Sequence, residues 1–282
     1  MIDVSSLSQE FRYPGRSDMY LEYWGLKEKP FENTPDPRFL YYSREHREAM
    51  LTLQYAVVEN KGAAMLTGDY GCGKTLLVRA LIEGLDPERF EVGLVVNPPS
   101  GEELLEEVLY QLGFEGRPSS RMEVMRNMEE LLYRNLQDDK ITTVFIDEAQ
   151  LITDEMTFED IRLLLNYQLN DRFLLTVVLV GQPELRPMVQ RIPQLEQRIG
   201  LRSHLGPLGP EDTKGLILHR LAVAGCDREI FSEEAIALIH QHTGGIPRKI
   251  VNICDFALLM GFIRKVEQVG ADLIEELIER EK

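Results

Sequence analysis

Eight consecutive residues, Gly68-Asp69-Tyr70-Gly71-Cys72-Gly73-Lys74-Thr75, follow the pattern G-x-x-x-x-G-K-[ST]. Each residue type meets a requirement for holding phosphate. Glycines let backbone N–H groups curl inward around anionic oxygens. The amine of Lys74 can reach the β- and γ-phosphates of ATP, and the hydroxyl of Thr75 can bind Mg²⁺. A helix starting here points its positive end at the same anion. The run Gly68 to Thr75, extended to Leu76, is the expected nucleotide-binding set. Cys72 reads as a small filler rather than a reactive nucleophile, with an alkylation-prone thiol at the helix N-terminus as the alternative.

A second cluster lies in VFIDEAQ, residues 144–150. Asp147 and Glu148 end an apolar strand, and ligands of open α/β sheets bind beyond strand C-termini. Asp147 is expected to hold Mg²⁺ with Thr75, and Glu148 to orient and deprotonate an attacking water. The alternative is a helix cap with an acidic first turn.

These residues need elements to carry them. Ser43 can cap a helix running to about Asn60, with Ala49, Leu53, Ala56 and Val57 on one face. Strands are predicted at 63–67, 90–97, 142–147 and 174–181, with a last one near 201–206. Helices are predicted at 75–85, 101–112, 121–136 and 155–169. Short apolar strands alternating with helices predict a parallel sheet covered on both faces. Beyond Gly206-Pro207-Leu208-Gly209-Pro210 only helical periodicity remains, at 211–224, 232–243, 247–263 and 271–280. The expected organisation is a tail (1–18), an α/β domain (19–208) and a small all-helical lid domain (209–282), joined by a Gly/Pro hinge. Residues 25–41 read as an irregular, proline-fixed segment, and Met19 is an alternative start.

Composition narrows the class. The 282 residues are 44% hydrophobic and 28% charged, as in an ordinary soluble protein. No apolar run approaches the ~18 residues that span a bilayer. The N-terminus lacks the apolar core of a secretory signal. Cys72, Cys226 and Cys254 are odd in number and lack C-x-x-C spacing, which suggests reduced thiols and a cytoplasmic protein. A net charge of −16 disfavours phosphate backbones as partners, so little affinity for naked DNA is expected. Residues 101–165 carry 16 acidic and 6 basic side chains, whereas residues 171–204 carry five arginines against three acids.

The chain resembles an AAA+ ATPase, and more closely the general secretion pathway protein A type. The resemblance runs through residues 19–50, GDYGCGKT, VFIDEAQ, LLTVVLVGQPELR (174–186) and GGIPRKIVNICDFAL (244–258). It implies a P-loop AAA+ sheet sandwiched by helices, followed by a helical lid, and Mg²⁺-dependent ATP hydrolysis. It implies that Gln182 is the polar sensor beside the γ-phosphate; a capping amide before Pro183 is the competing reading. It implies that Arg248, in Gly245-Ile246-Pro247-Arg248, reaches the nucleotide from the lid. It implies that Arg198, in LEQRIGLR, is an arginine finger acting on a neighbouring subunit, with Arg202 and Arg191 as competitors and a structural ion pair as the alternative. It also implies that the Pro30–Tyr42 segment lies beside adenine. The implied partners are further copies of the chain, assembled with ATP into rings or short filaments, and an unidentified protein in secretion or pilus assembly. Similar sequences regulate DNA transposition, so a DNA-associated regulator and a nucleotide switch with little turnover stay as alternatives.

Overall fold

The computed structural model describes residues 20–99, 101–226 and 228–280. The expected tail, residues 1–18, and Met19 lie outside them. The described residues form two compact units, one of residues 35–207 and one of residues 20–34 together with 208–280. The first helix among the described residues, α1 (Leu21–Trp24), belongs to the second unit.

The first unit starts with a 3-10 turn at Pro37–Phe39 and continues through α2 (Arg44–Val58), β1 (Ala63–Gly68), α3 (Lys74–Glu83) and β2 (Phe90–Val96). It proceeds through α4 (Glu102–Gln111), α5 (Arg121–Gln137), β3 (Ile141–Asp147), α6 (Glu155–Leu164) and β4 (Leu175–Gly181). It ends with α7 (Leu185–Gln190), α8 (Pro193–Glu196) and β5 (Ile199–Leu205). The strands pair in the order β2-β3-β4-β1-β5, and every pairing is parallel. Side chains alternate across a strand. Ala63, Met65, Val144, Ile146, Val177 and Leu179 therefore join one core with α4–α8. Ala64, Leu66, Phe145, Val178 and Val180 join the other with α2 and α3. Burial on both faces explains why β1 and β4 are buried at every position.

Side-chain caps set several helix starts. Ser43 accepts from the His46 N–H, Ser120 from Glu123 and Asp154 from Thr157. Each such cap is worth about 1 kcal/mol. The sequence reading placed the end of α6 at 169, but the helix stops at Leu164. The next residues turn back on themselves: Leu169 N–H donates to Arg172 O at 2.8 Å and Leu174 N–H to Tyr167 O at 2.9 Å. Those backbone groups are then unavailable to a helix. The last strand begins earlier than predicted, at Ile199, because the register against β1 shifts at Gly200. α7 and α8 were not read from the sequence.

The second unit contains α1, α9 (Pro210–Val223), α10 (Glu233–Thr243), α11 (Pro247–Arg264) and α12 (Ala271–Arg280). Residues 20–34 pack here and not with the α/β unit, contrary to the boundary expected from sequence. Trp24 is the physical reason. Its indole is fully buried, and Nε1–H donates to Leu258 O at 2.9 Å, 234 residues away. A Cβ at Gly261 would come within 2.7 Å of that ring, so glycine makes its seat on α11. Tyr20 donates to Asp255 at 2.6 Å and Tyr23 to Val266 O at 2.7 Å. The buried Arg220 donates to Pro30 O at 2.9 Å and Glu32 O at 3.2 Å, which fixes the chain after α1. At the other end Leu208 N–H donates to Gly245 O at 2.8 Å. Gly245 has φ +77, and a Cβ there would lie 2.0 Å from Leu208 O.

Trp24→Ala should cost about 3–5 kcal/mol, the range for emptying a large aromatic site. Hydrogen exchange is expected to show lost protection over α9–α12 while β1, β3 and β4 stay protected. Equal loss in the sheet would mean that residues 20–34 brace the α/β unit.

Candidate functional site

The C-terminal ends of β1, β3 and β4 lie side by side. Thr67 pairs with Gly181, and Ile146 pairs with Leu179. From the end of β1 the chain enters the glycine loop. Gly68 abuts β5 so closely that a Cβ would meet Leu205 O at 2.6 Å. Gly71 and Gly73 take φ +82 and +91, conformations that L side chains rarely adopt. Gly73 is the N-cap of α3 and brings no side chain to it, so the first-turn amides meet no capping oxygen from that residue. This suits an anion.

Lys74 is 6% exposed, and its ammonium donates to Gly68 O at 2.7 Å and Asp69 O at 3.1 Å. Burial lowers its pKa below the ordinary lysine value, while Glu148, Asp147 and Asp69 pull it back up. Thr75 Oγ1–H donates to Asp147 Oδ2 at 2.6 Å across 72 residues of sequence. Asp147 is 1% exposed, and burial raises its pKa above the usual aspartate value against the opposing hydrogen bonds from Thr75 and the Glu148 N–H. Its charged form lacks solvent, so a cation beside Thr75 would stabilise it. Among the described residues no group of three or more His, Cys, Asp or Glu could hold a metal by itself. Two oxygen ligands completed by substrate phosphates and water is the usual Mg²⁺ arrangement, and Thr75 and Asp147 fit it.

Glu148 does not cap an α-helix. It has φ 53 and leads into a 3-10 turn at Ala149–Leu151. Its carboxylate Oε2 accepts from Gln150 Nε2 at 2.5 Å, and Gln150 Oε1 accepts from the Gln182 backbone N–H at 2.9 Å. Gln182 itself is half-buried just past the end of β4. Thr75 and Asp147 thus meet beside Lys74, while Gln150 joins the Glu148 carboxylate to the Gln182 backbone. Gly68, Gly71, Gly73, Asp69 and Leu76 complete the loop and first turn, and Tyr70 is 63% exposed on its outside.

Cys72 is fully buried among α2, α3 and the sheet, and burial pushes its thiol up to about 11. Cys72 is therefore a shielded, neutral core group, as the filler reading has it, and the alkylation-prone alternative falls away. Arg198 donates to Leu165 O at 2.6 Å and to Asn166 Oδ1 at 2.7 Å, tying β5 to the end of α6. Arg202 donates to Glu196 O at 3.0 Å and pairs with the Glu196 carboxylate at 3.5 Å. Arg191 is exposed after α7. Arg248 is exposed in the first turn of α11, in the helical unit. The Pro30–Tyr42 segment divides between the units at 34/35.

Two residues near the loop escaped the sequence reading. His46, 3% exposed, lies between Ser43 Oγ (2.7 Å to Nδ1) and Cys72 O (3.1 Å to Nε2). The carbonyl can only accept, so Nε2 carries the proton and Ser43 donates to Nδ1. The imidazole thereby ties the start of α2 to the phosphate loop. The second is Gln150, the last residue of the VFIDEAQ string. Their signal was a polar residue at a fixed step from an assigned one: three after the cap Ser43 and three after Asp147.

Comparison with known proteins agrees with this geometry. Residues 58–189 match the AAA domain family. General secretion pathway protein A of Aeromonas hydrophila is 38% identical over 251 residues, which is 87% of this chain and 45% of that protein. The chain therefore spans less than half the length of that relative. Among solved structures, the Aeropyrum pernix ORC2 protein superposes with a TM-score of 0.68 at 18% identity, covering 90% of this chain and 71% of that one. The Thermotoga maritima RuvB Holliday junction branch migration motor gives 0.55 at 18% identity, covering 84% and 70%. At such identities these two structures speak for the fold alone. The parallel five-stranded sheet, its glycine loop and acidic pair, and the AAA domain match show that the chain belongs to the AAA+ ATPases, similar over most of its own length to general secretion pathway protein A.

Proposed function

We propose that this protein binds ATP with Mg²⁺ and hydrolyses it, slowly when alone and faster when assembled with copies of itself. The carrying observation is the 2.6 Å bond between Thr75 and Asp147 beside the buried Lys74. It joins a phosphate cradle to an acidic pair on one side of the sheet. In this reading Lys74 leaves its loop carbonyls for the β- and γ-phosphate oxygens. The cradle amides from Gly68 to Leu76 hold the phosphates, and Gln182 lies beside the reacting one. Thr75 and Asp147 would hold Mg²⁺, which when bound would neutralise charge on the phosphates. Glu148 takes the proton of the attacking water. The family resemblance supports a nucleotide-contacting role for Arg248.

The name of the Aeromonas relative supports work on a protein partner in secretion. Among the described residues no helix is long and apolar enough to cross a membrane.

Lys74→Ala should abolish detectable ATP binding, because a charge-assisted contact to the phosphates disappears. Glu148→Gln should bind ATP normally, measured by calorimetry, yet lose about 10²–10⁴ of turnover, the range for a general base. A Glu148→Gln protein with wild-type turnover would remove the base assignment.

The family resemblance supports Arg198 as a finger, and its bonds to Leu165 and Asn166 give it a structural role that a trans role would have to displace. Specific activity is expected to rise with protein concentration, since a finger supplied by a neighbour can be worth ~10³–10⁵ in rate. Arg198→Ala should flatten that rise and spare ATP affinity. Mixing Arg198→Ala with Lys74→Ala subunits should restore activity where an intact finger meets an intact cradle. Failure of the mixture, with Arg198→Ala losing thermal stability, would leave Arg198 as a structural tie and move the finger to Arg202 or Arg191.

A further inference from the structure

We propose that Gln150 is a positioning residue for hydrolysis: its side-chain amide holds the Glu148 carboxylate and ties it to the end of β4. This rests on the reading of Glu148 as the base. The polarity of the two hydrogen bonds fixes the amide. A carboxylate only accepts and a backbone N–H only donates. Nε2 therefore faces Glu148 at 2.5 Å and Oε1 faces the Gln182 N–H at 2.9 Å, and a flipped amide would present the wrong atom to both.

The backbone is built around this contact. Glu148 takes φ 53, a region non-glycine residues seldom enter. Leu151 N–H then donates to Glu148 O at 2.8 Å, closing the tight turn that swings Gln150 back beside Glu148. On the facing strand, a Cβ at Gly181 would lie 2.6 Å from Gln150 Oε1 and 3.3 Å from its backbone nitrogen. Glycine at 181 thus leaves the space that the amide fills. A glutamate base on freely turning torsions spends little time within reach of a water. A donor on Oε2 removes one rotor's freedom and leaves Oε1 for the water. The same amide grips the backbone of Gln182, so a shift at the end of β4 moves the base with it.

The test is steady-state and single-turnover ATP hydrolysis by the full chain, with affinity for a non-hydrolysable ATP analogue and thermal stability measured alongside. Gln150→Leu removes both bonds. Gln150→Glu keeps the side-chain length and the acceptor toward Gln182 but turns a second carboxylate on Glu148. Both should lower kcat about 10–100-fold, the scale of one hydrogen bond to a charged group, with analogue affinity changed less than about twofold. Gly181→Ala keeps the glutamine but fills its place, and should show the same kcat-selective loss. A double-mutant cycle gives the sharpest reading: Gln150→Leu added to Glu148→Gln should cost nothing more, because the amide acts only through that carboxylate. If Gln150→Leu fails to fold, Gln150→Glu, matched in volume, carries the test. Wild-type or raised kcat in the Gln150 variants, beside an inactive Glu148→Gln, would overturn the proposal alone. So would a further loss in the Glu148→Gln background, or a fall in analogue affinity that accounts for the whole effect. Wild-type turnover in Glu148→Gln would instead overturn the base reading and this proposal with it.

Discussion

The position of β4 between β1 and β3 governs the site. β4 hydrogen-bonds to both neighbours along nearly its whole length, so the ends of the three strands are held at one level. Val177 and Leu179 enter one core, Val178 and Val180 the other. A slip by one residue would exchange those faces, so the register is set by packing on both sides. Given that register, Thr75 and Asp147 must meet, although the loop and the acidic pair belong to distant parts of the chain. Neither group chooses its partner locally; the sheet does.

That geometry has a cost in solvation. Lys74 and Asp147 are both nearly out of water, and each is pushed toward its neutral form. They are kept tolerable by neighbours: carbonyls of Gly68 and Asp69 for the amine, Thr75 and the Glu148 N–H for the carboxylate. These partners are weaker than the ones that a triphosphate and a divalent cation would provide. Both charges are thus satisfied but improvable, which favours ligands that bring opposite charges to both groups at once.

Much of this was legible in the sequence. The three inner apolar runs became strands because their residues are buried on two faces, and Ser43 and Ser120 mark helix starts through chemistry that acts within three residues. What was not legible depends on distant groups. α7 and α8 are too short, at 6 and 4 residues, to show a helical period. α6 stops early where the following residues turn back on themselves and Arg198, just before β5, binds the Leu165 carbonyl and Asn166 beyond its end. Trp24 looked like the start of the α/β domain because nothing nearby announces a partner 234 positions on. At the site, the glycine loop and the acidic pair declared themselves by type and spacing. His46 and Gln150 did not, because a lone polar residue gains its meaning only from what the fold sets against it.

The division of the chain carries a consequence for biosynthesis. The polypeptide contributes residues 20–34 to the helical unit, departs to build residues 35–207, and returns for 208–280. On the ribosome the sheet can therefore close while the helical unit still lacks most of its chain. The indole of Trp24 emerges early but has no seat until Leu258 and Gly261 have been made. For that interval an aromatic side chain destined for full burial is exposed, a surface of the kind that holding chaperones cover. Completion of the helical unit thus waits for residues 208–280, and until they emerge a finished sheet is accompanied by an N-terminal segment still without its partner.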